Sequence, residues 1–534
     1  MPTPLQPGDL ITLHLDSLAA GGEAVGRHEG MAVFVMWGCP GDDAEVEITD
    51  VSDRFARGVV SKVITPSPDR VAAPCPHFGY CGGCQIQHIA YPAQLRHKTQ
   101  IVRDAVSRIA GLGSLEIADT WGMDDPWHYR NRVEYHAGGD ESGAFYLGFT
   151  RTHTHDVFPL QECALQHPIS ERIRTALLDL VRPGVGQERV SCPPADPDRG
   201  GASAHPVRQE LAPDPTNPVR QELAPDPTNP VRQELVPDPT NPVRQELAPD
   251  PANPVRQELV PDPANPVRQE LAPDPTSLLD LDVLVSFNAS QAIATLVCDG
   301  RPEFLRPLAE ALMQRAPGLI GVSAARSRGR LAAHRSPSES LVGKTFITER
   351  LGDSAYRVSP DAFFQANPRQ AARMLDLVKQ WAFADRVDGV LDLYSGVGTF
   401  LLPLARRAHH AVAVEENDVA LADLRANVRQ WRLDNVNYYE GKVERVLPRL
   451  AQRGWKTDVV VVDPPRKGAG PAVCAAAAKL GPRRIILISC HPATLARDLK
   501  SLTEHGYTPR RIQPIDMFPQ THHVEAVCLC EKRS

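Results

Sequence analysis

Two stretches constrain the fold of this chain more than any others: VVVVDPPRKG at Val459–Gly468 and ILISCHP at Ile486–Pro492. Each is a run of apolar, mostly β-branched residues that breaks abruptly into a polar loop. A continuous apolar run of about four to eight residues reads as a strand buried on both faces, the condition of a parallel sheet. In open parallel sheets, ligands bind just past the carboxyl ends of the strands. Asp463 and Cys490 occupy such ends, which predicts a carboxylate and a thiol in one crevice.

Strands and helices alternate around these runs over roughly 160 residues, from VDGVLDLYSGVGTFLLPLARRA to HVEAVCLCEK, so a doubly wound, Rossmann-like α/β domain is expected over 356–534. A chain of 534 residues is too long for one core. At the other end, DLITLHLDSL, MAVFVMWG and DAEVEITDV are short β-rich segments separated by GRHEG and GCPGDD, which predicts a small β-barrel over 1–66. The Gly21-Gly22 pair and GEAVGRHEGMAVFV resemble the TRAM domain, an OB-like RNA-binding module; a purely structural barrel is the alternative. Between these ends, 67–355 reads as an α+β domain.

That middle part is interrupted by six copies of a twelve-residue unit, PVRQELAPDPTN with small variations, over 206–277. Three prolines per unit prevent continuous helix or sheet, and the unit has too few apolar residues to bury a face, so a disordered or extended insert without chemistry is expected. Each copy carries one net negative charge, so the insert accounts for six of the chain's seven excess negative charges and the rest is close to neutral. Net charge therefore does not exclude nucleic acid.

The chain has eleven cysteines. No apolar run approaches the ~20 residues of a membrane span, and MPTPLQPGDL lacks the basic and apolar regions of a signal peptide. The reading is a cytoplasmic monomer without membrane partners, in which cysteines serve metal binding or catalysis rather than disulfides. CPHFGYCGGC places Cys75, Cys81 and Cys84 close together, with glycines that let the backbone wrap a centre. Cys163 in FPLQECAL is the best fourth ligand, with His77 and His88 as alternatives that read more simply as ordinary loop or surface histidines. Four thiolates can hold zinc or an iron–sulfur cluster. A single C-x5-C-x2-C run with a distant partner fits a two-knuckle zinc site poorly, which favours [4Fe–4S]. Cys192, Cys298, Cys474, Cys528 and Cys530 read as structural.

Tyr91–Leu112 reads as an amphipathic helix with Ile101, Val102, Ala105 and Ile109 as its stripe and Arg96, Lys98, Arg103 and Arg108 on a solvated face. Arg130, Asn131 and Arg132, interleaved with Tyr129 and Tyr135, suit RNA, since guanidinium groups meet phosphate and rings stack on bases.

The turn from Asp392 through Tyr394 to Gly396 and Gly398 lacks the third glycine of a dinucleotide fingerprint and the lysine of a P-loop. It suits S-adenosylmethionine, with Glu415 at the end of the next strand taking ribose hydroxyls and Glu416 as second choice. A thiol, a base and a methyl donor together suit methylation of carbon 5 of uracil. Thiolate addition to carbon 6 creates an enolate that takes the methyl, a base then removes the carbon-5 proton, and the thiolate leaves. Cys490 is the nucleophile candidate and Glu525 the base candidate, with His522 and His523 as lesser bases.

DAFFQAN, DLYSGVGTF, DPPRKG, ISCHPATLARDL and DMFPQTHHVEAV, in this order, resemble the RNA uracil-5-methyltransferases. The TRAM-like barrel and the cysteine run with Cys163 resemble the branch that carries a [4Fe–4S] cluster and acts on 23S ribosomal RNA. The resemblance covers nearly everything but the repeats. It implies Cys490 as nucleophile and Glu525 as base. It also implies contacts from Gln365, Tyr394, Glu415 and Asp463 to S-adenosylmethionine, and a helix at Tyr91–Gly113 packed on the methyltransferase domain. Ser395 stands where the family often has cysteine. A tRNA substrate, an RNA cytosine-5-methyltransferase and a non-catalytic RNA-binding iron–sulfur protein are the rival readings. DPPRKG lacks the second cysteine usual in the cytosine enzymes, and a relic would not need Cys490, Glu525 and Asp463 together.

Overall fold

The computed structural model describes residues 5–140, 144–181, 278–327 and 335–533; the repeats and Cys192 lie outside them. Five strands close an N-terminal barrel: β1 (Leu10–Leu18), β2 (Ala24–His28), β3 (Met31–Met36), β4 (Asp43–Val51) and β5 (Phe55–Thr65), in the order β1-β2-β3-β5-β4. Alternating residues point inward, so Leu13, Leu15, Val33, Val35, Val46 and Ile48 fill its core.

The central sheet has seven strands, β6 (Arg132–Gly139), β7 (Phe145–Thr150), β8 (Val157–Pro159), β9 (Leu278–Ser286), β10 (Gln291–Cys298), β11 (Leu319–Arg326) and β12 (Glu339–Gly343), in the order β12-β11-β10-β9-β6-β7-β8. Ile169, Ile173 and Leu177 of one helix (Pro168–Val181) and Leu312 of another (Arg306–Arg315) bury one face. The other face is polar: Arg132 and Arg335 both bind Asp282, and His136 binds Asp280.

Tyr129 and Tyr135 are fully buried, Asn131 is buried, and Tyr129 Oη donates to the carbonyl of Pro519 at 3.0 Å. These rings are not a stacking platform for bases; of the five residues read that way, only Arg130 and Arg132 line an open cavity. His77 and His88 are likewise buried, not on the surface, and His88 Nε2 lies 2.9 Å from the Gly38 carbonyl.

A hairpin of β13 (Ile347–Leu351) and β14 (Ser354–Val358) buries Ile347, Leu351, Tyr356 and Val358 against Met374, Leu375 and Val378 of the helix Pro368–Ala382. The last sheet contains β15 (Gly389–Leu393), β16 (His410–Glu415), β17 (Val436–Glu440), β18 (Val459–Val462), β19 (Arg484–Ser489), β20 (Tyr507–Ile515) and β21 (Glu525–Lys532), in the order β17-β16-β15-β18-β19-β21-β20. Neighbours run parallel from β17 to β19, whereas β21 is antiparallel to both β19 and β20. Helices cover both faces, which is why β18 and β19 are buried at every residue.

The helix at Tyr91–Ala105 continues as a π-turn to Ala110. Val102 and Val106 pack with Leu495, Leu499 and Leu502 of the helix Pro492–Glu504, so the packing implied by the resemblance is present. Both of its faces depart from expectation, the stripe at Ile109 and the polar face at Lys98. Ile109 is 42% exposed, and Lys98 is fully buried, 2.5 Å from Asp516 Oδ1 and 3.1 Å from the Phe518 carbonyl. Burial pulls the Lys98 ammonium below its ordinary range and the Asp516 charge opposes this. Removing one partner of a buried pair strands the other charge. Lys98→Met is therefore expected to lower stability by about 3–5 kcal/mol in urea denaturation, and Lys98→Met with Asp516→Leu to recover much of it.

Candidate active site

Val462 of β18 lies beside Leu487 of β19, so Asp463 and Cys490 leave the sheet at one edge. Ser489 pairs with Ala526, which leaves Cys490 and Glu525 as the next facing positions at the open end of β19 and β21. Cys490 is half-buried, and Glu525 is 5% exposed rather than a surface glutamate. Burial pushes the Cys490 thiol up to about 11; the charges of Glu525 and Asp463 add to the rise and Arg466 opposes it. Burial, then the Asp463 charge, holds the Glu525 carboxyl well above the usual carboxylate range, again against Arg466.

The other candidates share this edge. Gln365 Nε2 donates to Asp463 Oδ2 at 3.0 Å. Asp463 keeps some surface open but is enclosed by protein, and burial raises its carboxyl. Tyr394 follows β15 in left-handed backbone, φ 61°, and burial raises its phenol. Glu415 ends β16. Its Oε2 accepts the N–H of Gly396 at 2.8 Å, and its Oε1 accepts those of Glu416 and Asn417 at 2.9 and 2.8 Å. A carboxylate has about four acceptor sites, so one remains for a hydroxyl. Glu416 is exposed and turned into this hydrogen-bonding only through its backbone.

The loop from Asp516 to Val524 forms the third side. Arg466 donates to His523 Nε2 at 2.8 Å, and His522 Nδ1 lies 3.1 Å from Gln85 Oε1. Burial pulls His522 down to about 4 and His523 down to about 3, with neighbouring positive charges adding to it. An imidazole this weakly basic, with its lone pair already held by a guanidinium, is a poor proton acceptor. Arg466 was not a sequence candidate, although a cation directly after the DPP step at a strand end was the available signal.

Cys75, Cys81, Cys84 and Cys163 line one cavity of about 470 Å³ at the polar face of the central sheet. None of the four is in a disulfide. The N–H of Gly83 donates to Cys81 Sγ at 3.4 Å. Burial pushes Cys84 up to about 12 and Cys163 up to about 11, and the charges of their partner cysteines add to both. Cys298, Cys474, Cys528 and Cys530 are buried, as expected of structural cysteines.

Residues 4–61 match the TRAM domain, and residues 330–533 match the tRNA (uracil-5-)-methyltransferase family. An uncharacterised RNA methyltransferase of Halalkalibacterium halodurans is 30% identical over 98% of this chain and 97% of its own. One of Thermosynechococcus vestitus is 30% identical over 98% of both. The crystal structure of Pyrococcus abyssi tRNA (uracil-54, C5)-methyltransferase in complex with S-adenosyl-L-homocysteine superposes with a TM-score of 0.63 at 21% identity, over 97% of this chain and 99% of that one, a likeness of fold. With the barrel, the sheet and its edge in place, these matches make the chain a member of the RNA uracil-5-methyltransferase family, enzymes that use S-adenosylmethionine.

Proposed function

We propose that this enzyme methylates carbon 5 of a uridine in 23S ribosomal RNA through a covalent adduct with Cys490, with Glu525 as the base. The observation that carries the reading is the facing of Cys490 and Glu525 at one strand end beside Asp463. Carbon 5 of uracil is a poor nucleophile until a thiolate adds to carbon 6. Arg466 favours that thiolate, since its charge opposes the rise in the thiol's pKa. S-adenosylmethionine supplies the methyl group. Glu525 then takes the carbon-5 proton, carbon 5 and carbon 6 regain their double bond, and the carbon–sulfur bond breaks to release Cys490. The raised carboxyl of Glu525 makes it a stronger base than an exposed glutamate. Gln365, Tyr394, Glu415 and Asp463 hold the methyl donor, Glu415 through its remaining acceptor site toward a ribose hydroxyl.

Cys75, Cys81, Cys84 and Cys163 hold a [4Fe–4S] cluster in this reading. Four thiols around one cavity of about 470 Å³, with an N–H donated to Cys81 Sγ, suit such a centre, which would tie the cysteine loop together. The domain limits 1–66, 67–355 and 356–534, and action as a cytoplasmic monomer, belong to the same reading. Among the described residues no helix is long and apolar enough to cross a membrane.

Mass mapping of RNA from cells with and without the protein tests the assignment. The expected result is loss of one 5-methyluridine from 23S ribosomal RNA. Loss from tRNA instead would move the substrate, and loss of a 5-methylcytidine would overturn the uracil assignment.

A further inference from the structure

Gln520 lies five positions before Glu525, in the loop that leads into β21, and its backbone is left-handed, φ 70°. A long side chain seldom adopts this conformation, and it persists only where the surroundings over-determine it. The contacts that hold Gln520 come from one segment, 85–94, directly after Cys84. Its carbonyl accepts the N–H groups of Gln85 and Ile86 at 3.3 and 3.2 Å. Its side-chain Oε1 accepts Gln94 Nε2 at 2.9 Å, and its own N–H donates to Gln94 Oε1 at 3.2 Å.

Gln94 is 1% exposed and Gln520 3%. Gln94 Nε2 also reaches the carbonyls of Ile86 and Ile89, at 3.1 and 2.9 Å, so one buried amide joins the cysteine segment to the loop. Gln85 adds a second tie at His522, whose neighbour His523 meets Arg466. A buried amide pair bonded in both directions fixes geometry, because losing either partner leaves donors and acceptors unmet.

We infer that Gln94 and Gln520 form a positioning pair through which the segment that follows Cys75, Cys81 and Cys84 aims the carboxylate of Glu525. Disturbing the segment then slows removal of the carbon-5 proton, beyond any effect on RNA binding. This inference rests on the reading of Glu525 as the base.

The test uses the full chain as isolated, S-adenosylmethionine, and ribosomal RNA from cells lacking the protein. Gln94→Met keeps the volume and removes the amide. Gln520→Asn is the second variant, because asparagine tolerates left-handed backbone while its shorter amide does not reach Gln94. Each is expected to lower kcat by about ten- to a hundredfold with the KM for RNA little changed, on the scale of a small misplacement of a catalytic group. Each should also accumulate a covalent protein–RNA adduct, as Glu525→Gln does, and the double variant should be no slower than either alone. A raised KM at unchanged kcat would overturn the inference. So would a fall in kcat without adduct while Glu525→Gln traps one. Absence of adduct in Glu525→Gln itself would overturn the base assignment, and this inference with it.

Discussion

Cys490→Ala abolishes methyl incorporation into RNA, with turnover expected to fall by at least about 10⁴-fold, the scale of losing a covalent nucleophile. Without addition to carbon 6, uracil presents no carbon nucleophile to the methyl donor, and the other described cysteines of this domain offer no substitute. Cys474, Cys528 and Cys530 are buried in the packing around β19 and β21. The substitution should leave the fold intact, because Cys490 stands just beyond the last residue of β19 and is only half-buried. Filter binding of RNA should therefore survive while tritium transfer from labelled methyl donor does not. In the parent enzyme, kcat/KM should climb as pH rises toward the alkaline range. The thiol is pushed up to about 11 and must lose its proton, and the raised Glu525 carboxyl must also be ionised to serve as base. A rate that falls over that range would contradict both assignments.

Glu525→Gln is expected to behave differently. Addition and methyl transfer precede the need for a base, so a covalent protein–RNA species should form and persist while product release falls by roughly 10²–10⁴-fold. The glutamine preserves shape at a site that is 5% exposed and removes a carboxyl whose proton affinity burial and Asp463 both raise. Denaturing gels should show a protein band shifted by the RNA and sensitive to nuclease. Activity lost without such a band would place the base elsewhere, and His523 is a weak alternative with its Nε2 held by Arg466.

The edge of the last sheet was legible because parallel strands under two layers of helix must be apolar throughout. Val459–Val462 and the IILI run at Ile485–Ile488 therefore stand out, and the polar residues that follow them lead to the crevice. The cysteine cavity was legible because C-x5-C-x2-C with glycines between brings Cys75, Cys81 and Cys84 together within ten residues of chain. What escaped sequence reasoning depends on long-range partners. Helical periodicity puts Lys98 toward solvent, and its burial is explained by Asp516, 418 residues away, with the Phe518 carbonyl beside it. The Gln94–Gln520 pair spans 426 residues and involves two residues that local propensity treats as surface. Tyr129 and Tyr135 suggested base stacking because alternation in one strand does not tell which face another layer will cover.

The most direct test of the covalent route is to incubate the protein and S-adenosylmethionine with a 23S ribosomal RNA transcript containing 5-fluorouridine, and to map the modified peptide by mass spectrometry. Fluorine on carbon 5 cannot leave as a proton does, so elimination stalls after methyl transfer. The account predicts one methylated fluorouridine nucleotide attached to the peptide containing Ser489-Cys490-His491. No covalent complex, or attachment at a different cysteine, would contradict it.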